Sequence, residues 1–173
     1  AVGDFDADVP EKALSGALGD WEAKAERPPA VAEPRPAKGR RLLLVDKPDS
    51  TQTFFAIGGV GVSRTDPDRV PLQVVHTLFG GRFTSILNDA LRINSGLTYG
   101  ARSTFVERQA RGPFFISSFT QNETTVKAID MALDLLAKLH EKGLTEEQLR
   151  SAKEYIKGQF PPRIETTDEL AAL

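Results

Sequence analysis

The feature that most constrains the fold is the order in which strand-like and helix-like patterns follow one another after residue 40. Runs rich in β-branched and aromatic residues predict strands over Arg40–Asp46, Thr51–Val62, Leu97–Arg108 and Pro113–Thr120. Two amphipathic helix patterns separate the first pair of strands from the second, and two more follow the last strand. This order predicts an α+β domain in which helices pack on one face of a mainly antiparallel sheet.

Residues that commonly start or stop a helix mark the ends of the four predicted helices. The predicted spans run from Asp66 to Gly81, from Thr84 or Ser85 to Gly96, from Asn122 to Gly143 and from Thr145 to Phe160. Asn122 is expected to cap the third helix, and Thr145 with Gln148 forms a capping box for the fourth. The predicted core-facing stripes of the last two helices are Val126, Ile129, Leu133, Leu136 and Leu139, then Leu149, Ala152, Ile156 and Phe160.

The first 39 residues differ in composition from the rest of the chain. Pro10–Trp21 has the apolar spacing of a short amphipathic helix. Residues 28–39 contain four prolines among alanines and charged residues, which is typical of an extended linker. We therefore predict three segments: a small unit at 1–27, a Pro-rich linker at 28–39 and the main domain at 40–173.

Composition and charge exclude several classes of function. A chain of 173 residues can bury one sizeable core. Its 24 acidic and 22 basic residues give a formal net charge of -2, which supplies no general electrostatic reason to bind nucleic acid or anionic lipid. The absence of cysteine rules out disulfides, iron–sulfur clusters and thiol catalysis. Apolar runs such as Leu42–Val45 are far too short for a membrane span.

Familiar metal and phosphate motifs are missing from the sequence. A catalytic zinc site needs three protein ligands, often with two on one helix turn. His76 and His140 lie far apart, and neither has a second histidine four residues away. The glycine pair near residue 80 lacks the Lys-Ser/Thr step of a phosphate loop, and Gly59-x-Gly61 lacks the third glycine of a dinucleotide motif. We predict no metal ligands within this chain.

The segment from Gly80 to Gly100 resembles the second-half signature of pitrilysin/insulinase zinc peptidases, which have half-domains of the processing-peptidase type. The shared features are a Gly-Gly step, a small polar pair, Leu-Arg and Gly-Leu-Thr-Tyr, in that order. The resemblance covers roughly residue 40 to the end, and residues 1–21 resemble the closing strand and helix of the preceding, metal-binding half. We therefore expect the fold to be truncated at both ends of the chain, with the main domain incomplete at its C-terminus. Ile86 departs from the pattern, because many members carry arginine there.

The resemblance implies a division of labour in which the first half of the protein holds zinc and this half closes over a peptide. The substrate-binding residues that it implies are Gly80, Gly81, Arg92 and Tyr99, and the last two would also be catalytic. A phenol and a guanidinium can both stabilise the oxyanion that forms at the scissile carbonyl. Zinc and its general base would lie upstream of Ala1, so this fragment alone would be inactive. The cysteine-free composition and the habit of the family favour the bacterial periplasm over the cytoplasm.

Other hypotheses stay open at this point. The family includes partner subunits that lack zinc ligands and supply the arginine and tyrosine to an active chain in a heterodimer. A purely structural scaffold is a third hypothesis, although the retention of Arg92 and Tyr99 counts against it. On the residues alone, Arg92 could merely pair with Asp89, and Tyr99 could merely pack at a sheet edge. The expected partners are a peptide substrate and the zinc-binding half of the same chain or of a partner subunit, in a homodimer or a heterodimer.

Overall fold

The computed structural model describes residues 2–22 and 29–173 and divides into two units. One unit contains Ala1–Ala30 and Lys157–Leu173, and the other contains Val31–Ile156. The predicted boundary between residues 27 and 28 lies outside the described residues. Among those that are described, no helix has the length and apolar character needed to cross a membrane.

The larger unit is built on a sheet of three strands. These are β1 (Gln52–Val60), β2 (Ala101–Phe105) and β3 (Pro113–Gln121). Their order across the sheet is β1-β3-β2, and both pairings are antiparallel. β3 is therefore the central strand, and β1 and β2 pair with its two opposite edges.

Six α-helices occur in the described residues, and two of them end in a π turn. They are α1 (Asp8–Leu18), α2 (Arg69–His76), α3 (Ile86–Asn88), α4 (Thr125–Lys142), α5 (Glu146–Gly158) and α6 (Thr167–Ala171). α2 continues as a π turn at Thr77–Gly81, and α3 continues as a π turn at Asp89–Asn94. In the second turn the Ser95 N–H donates to the Ala90 carbonyl oxygen, five residues earlier, at 3.2 Å. Such turns are rare and often lie at functional sites.

The core lies between one face of the sheet and the helices. Its buried residues are Phe55, Phe79, Leu87, Leu91, Ala101, Ile116, Ala128 and Ala132. Side chains alternate along β1, so Phe55 is buried while Phe54 on the opposite face is 69% exposed. The predicted α+β architecture, with helices on one face of an antiparallel sheet, is therefore confirmed.

The side of α4 that faces the sheet carries small residues, which the predicted stripe does not include. Ala128 and Ala132 are fully buried, because alanine lets a helix approach the sheet closely. Four residues predicted for core stripes are instead exposed, namely Val126, Leu133, Leu149 and Phe160. The predicted stripe of α4 is confirmed in part, because Ile129, Leu136 and Leu139 pack against the core. Ala152 of α5 is buried as predicted.

The predicted strand Arg40–Asp46 does not form. Its apolar residues, Leu42 to Val45, are between 76% and 91% exposed. A strand needs a neighbouring backbone to satisfy its N–H and C=O groups. Within the described part of the chain, no backbone hydrogen bond joins this run to another segment. The apolar residues are strand formers that lack a pairing partner here.

Local capping signals succeeded at two helices and failed at one. The Ser85 hydroxyl accepts from the Asn88 N–H at 3.3 Å, and Thr145 with Gln148 forms the predicted capping box. Asn122 does not cap α4. Its side-chain carbonyl accepts from the Thr53 hydroxyl at 2.8 Å, and its amide group donates to the Ser50 carbonyl oxygen at 2.7 Å. Asn122 therefore ties the start of the helix to the start of β1.

The smaller unit contains α1, a 3₁₀ turn at Pro161–Ile164 and α6. α1 confirms the predicted helix near residues 10–21, although it begins two residues earlier and has no buried residue. The closing strand that the resemblance implied at the start of the chain is not formed, because residues 2–6 contain no strand. A capping box between Thr166 and Glu169 starts α6.

Candidate functional site

An open groove of about 530 Å³ lies where the π turns meet the ends of β2 and β3. Its lining residues come from both π-turn segments, the 98–100 turn and all three strands. They are Phe54, Gly80, Gly81, Arg82, Phe83, Asn88, Arg92, Tyr99, Gly100, Ala101, Arg102, Ser117, Ser118 and Phe119. All four residues that the sequence predicted for substrate binding line this one groove, and the volume is in the range of ligand sites.

Gly80 and Gly81 let the first π turn lie directly against β2. A Cβ atom on Gly80 would come within 2.5 Å of the Ser103 backbone nitrogen and of its hydroxyl oxygen. A Cβ on Gly81 would lie 3.0 Å from the His76 ring. That ring is fixed in turn, because His76 Nε2 lies 2.8 Å from the Ser103 carbonyl oxygen. The glycine pair therefore sets the close packing of this wall, and His76 has a structural role.

Arg92 is held by an aromatic ring rather than by a carboxylate. Its guanidinium carbon lies 4.7 Å from the centroid of the Phe83 ring, a cation–π distance. The alternative interpretation, in which Arg92 merely pairs with Asp89, is wrong, because no ion pair joins these two described residues within 4.0 Å. No hydrogen bond or ion pair joins the guanidinium to another described residue, so its N–H donors are available to a ligand.

Tyr99 lies at the tip of a turn that its neighbours fix. The Thr98 hydroxyl donates to the Gly100 carbonyl oxygen at 3.1 Å and accepts from the Gly100 N–H at 3.2 Å. The Ser118 hydroxyl of β3 lies 3.0 Å from that threonine oxygen and 2.9 Å from the Gly100 carbonyl oxygen. Gly96, with a φ of 63°, allows the chain to leave the π turn toward this point. The Tyr99 side chain itself is 78% exposed at the groove.

Asn88 is a buried residue of the groove wall that the sequence analysis did not single out. Only 4% of it is exposed. Its amide group donates to the Phe83 carbonyl oxygen at 2.7 Å, and its carbonyl accepts from the Ala101 N–H at 3.2 Å. Asn88 therefore joins the Phe83 loop to the start of β2. The sequence did carry a signal for Asn88. It is an amide residue within a helix that has apolar residues, and a buried amide needs hydrogen-bond partners.

The floor of the groove is the open face of the sheet. Phe54 of β1 is paired directly with Phe119 of β3, and Arg102 of β2 is paired with Ser117 of β3 on the same face. Arg82 borders the groove and is anchored on α5. Its guanidinium donates to the Ser151 hydroxyl at 3.0 Å, and its central carbon lies 5.6 Å from the centroid of the Tyr155 ring.

The charged residues that line the groove are all arginines, at positions 82, 92 and 102. In the described residues, no group of three histidine, cysteine, aspartate or glutamate side chains could hold a metal ion. The described residues therefore supply no ligand set for a zinc ion. Two kinds of group, the Tyr99 phenol and the arginine guanidinium groups, can donate hydrogen bonds to an oxygen atom placed in the groove.

Comparison with known proteins identifies relatives over most of the chain. The model of the "Peptidase M16 inactive domain" family matches residues 1–156. A Helicobacter pylori protein named a non-peptidase homolog is 28% identical over 170 residues, which cover 95% of this chain and 38% of the relative. A Streptomyces coelicolor protein named an uncharacterized zinc protease is 28% identical over 156 residues, which cover 90% of this chain and 34% of the relative. The chain thus spans between 34% and 38% of these curated relatives.

Solved structures share the fold. A crystal structure of a peptidase M16 inactive domain from Pseudomonas fluorescens has a TM-score of 0.77 and 28% identity, and the match covers 91% of this chain and 38% of that one. A protease from Helicobacter pylori has a TM-score of 0.84 over 99% of this chain and 42% of that one, at 22% identity. The family resemblance carried by residues 80–100 is confirmed. The chain belongs to the peptidase M16 inactive-domain family.

Proposed function

We propose that this chain is the substrate-binding, metal-free half of a zinc-dependent endopeptidase that cleaves peptides or unfolded small proteins. The observation that carries the proposal is that Arg92, Tyr99 and the glycine pair all line one groove. Several relatives are named zinc proteases, which supports the reaction class. Since the chain spans about a third of such relatives, the activity belongs to a longer protein that contains it.

The proposed chemistry is stabilisation of negative charge at the scissile carbonyl. The Tyr99 phenol is exposed and free to donate a hydrogen bond, and its turn is held rigidly by Thr98 and Ser118. The Arg92 guanidinium is fixed on Phe83 and keeps its N–H donors available. Donors positioned before the reaction stabilise an oxyanion without reorganising during it. Neither group activates water, so the hydrolytic water and its base belong to the other half of the enzyme.

The proposal is tested by peptide cleavage with the longer protein, with and without zinc. Tyr99→Phe removes only the phenolic donor, and Arg92→Ala removes the guanidinium. Each change should lower kcat by about 10²-fold, as the loss of one oxyanion donor does. Tyr155→Phe is the matched control, because Tyr155 lies on α5 and its ring contact with Arg82 survives the change. Full activity in both groove variants would contradict the proposed roles.

A second function is favoured by the name of one relative. The Helicobacter pylori protein is called a non-peptidase homolog, and it matches 95% of this chain. The alternative is therefore a non-catalytic partner subunit, which supplies Arg92 and Tyr99 to a separate zinc-bearing chain. Cleavage that appears only when a zinc-bearing chain is mixed with this protein, and that falls in Tyr99→Phe, would select this alternative. Cleavage by the longer protein alone would exclude it.

A further inference from the structure

The groove has a charge that differs in sign from the charge of the chain. The chain has a formal net charge of -2, yet the side chains that line the groove include three arginines and no aspartate or glutamate. A concave surface lined by charges of one sign attracts ligands of the opposite sign. The groove therefore favours a negatively charged group on the peptide that it binds.

The three arginines are not equivalent. Arg82 is anchored by Ser151 and Tyr155 on α5, and Arg92 is stacked on Phe83. Arg102 is exposed, and its side chain has no hydrogen bond or ion pair with any other described residue. Its neighbours along β2, at positions 101 and 103, are buried on the opposite face. Its guanidinium is therefore the one of the three that no other described side chain anchors, and it can turn toward a ligand.

The surroundings of Arg102 favour a carboxylate next to an apolar group. The residue opposite Arg102 is Ser117, a small residue that lines the groove and is only 4% exposed. The next cross-strand pair on the same face joins Phe54 to Phe119, and both rings line the groove. A guanidinium binds a carboxylate through two parallel N–H···O bonds, which an amide cannot accept in the same way. The rings offer an apolar surface to the neighbouring side chain of the same peptide.

We infer that Arg102 is a specificity-determining residue, which selects peptides that place a carboxylate over β2. This inference rests on the proposed function, because it concerns the peptide bound in the same groove. The carboxylate belongs either to an aspartate or glutamate side chain or to the C-terminus of the peptide. Arg102 acts on binding, so its effect lies in KM and in Kd, and kcat stays close to the wild-type value.

The test uses four short fluorescein-labelled peptides, which combine the presence or absence of a side-chain carboxylate with the presence or absence of a C-terminal carboxylate. The parent contains a single glutamate beside a phenylalanine, its partner has glutamine in that place, and each is made with a free or an amidated C-terminus. Anisotropy gives Kd with this chain, and cleavage by the longer protein gives KM and kcat. We expect about tenfold tighter binding for the peptides that carry the recognised carboxylate. The preference should weaken as salt is raised, because the groove is open to solvent.

Three variants separate Arg102 from the general charge of the protein. Arg102→Gln should abolish the preference, and Arg102→Lys should keep part of it, because lysine has the charge without the two-pronged geometry. Arg111→Gln is the control, because Arg111 pairs with Glu33 outside the groove at 3.2 Å. That variant should keep the full preference.

The peptide that binds most tightly identifies which carboxylate Arg102 recognises. A preference for glutamate over glutamine identifies a side-chain carboxylate, and a preference for the free C-terminus identifies the terminal one. Equal Kd values for all four peptides, or a preference that survives Arg102→Gln, would overturn the inference. If no peptide is cleaved, the proposed function fails, while the anisotropy series still decides whether Arg102 selects a carboxylate.

Discussion

Gly80→Ala gives the sharpest test of the packing that builds the groove. The substitution adds one methyl group at a buried position where the π turn crosses β2. The added Cβ would lie 2.5 Å from the Ser103 backbone nitrogen, 2.5 Å from its hydroxyl oxygen and 2.8 Å from a Leu87 methyl. An ordinary contact begins at 3.4 Å, so the strand or the turn must move by about 0.9 Å (3.4 − 2.5).

The expected loss in the free energy of unfolding depends on whether the atoms around the added methyl group can move. Ser103 is paired with Ile116 of the central strand, so its backbone cannot recede without loss of sheet hydrogen bonds. Overpacking of this kind costs about 1–3 kcal/mol. Replacing glycine by alanine in a helical segment returns at most about 1 kcal/mol. We expect a net loss of about 1 kcal/mol in the free energy of unfolding, which corresponds to a fall of about 2–4 °C in Tm.

The assay is urea unfolding followed by far-UV circular dichroism. Tryptophan fluorescence is unsuitable, because the single tryptophan, Trp21, is 76% exposed and lies outside the unit that contains Gly80. Gly59→Ala is the matched control in the same sheet, since nothing lies within 4 Å of its added Cβ. It should be neutral or slightly stabilising. A Gly80→Ala variant as stable as Gly59→Ala would refute the packing argument and return Gly80 to a role in binding alone.

Two further substitutions test other parts of the structure. Asn88→Ala should cost about 2 kcal/mol, because it leaves the Ala101 N–H and the Phe83 carbonyl oxygen without their partner; the same urea titration measures it, and an unchanged midpoint would contradict the assigned contacts. Leu43→Lys should leave the free energy of unfolding unchanged and reduce self-association in sedimentation experiments, because residue 43 is 86% exposed within an apolar run. A clear loss of stability in Leu43→Lys would instead mean that this run is packed.

The parts of the fold that sequence could predict are those set by neighbours in the chain. Ser85, Gly143 and the Thr145 capping box bound their helices through contacts within a few residues. Periodicity predicted β1 and β3, because alternation and strand propensity act along one segment. The family signature predicted four residues that line the groove, although their roles in binding and catalysis stay predictions.

The parts that could not be predicted depend on partners far away in the chain. The run at 40–46 has the propensity of a strand, but propensity does not provide a neighbouring backbone. Asn122 has the appearance of a helix cap, but it bonds to Ser50 and Thr53, about 70 residues earlier. Arg102 and the Phe54–Phe119 pair meet only through the register of three strands, which no local pattern fixes.

A double-mutant cycle on kcat/KM for peptide cleavage, with Arg92→Ala, Tyr99→Phe and the double variant of the longer protein, measures whether Arg92 and Tyr99 act on the same oxyanion. If both side chains stabilise one oxyanion, each single change lowers kcat/KM by about 10²-fold, and the double variant loses less than the product of the two. Wild-type activity in either single variant, with zinc present and the protein folded, would contradict the assignment of this groove as half of an active site.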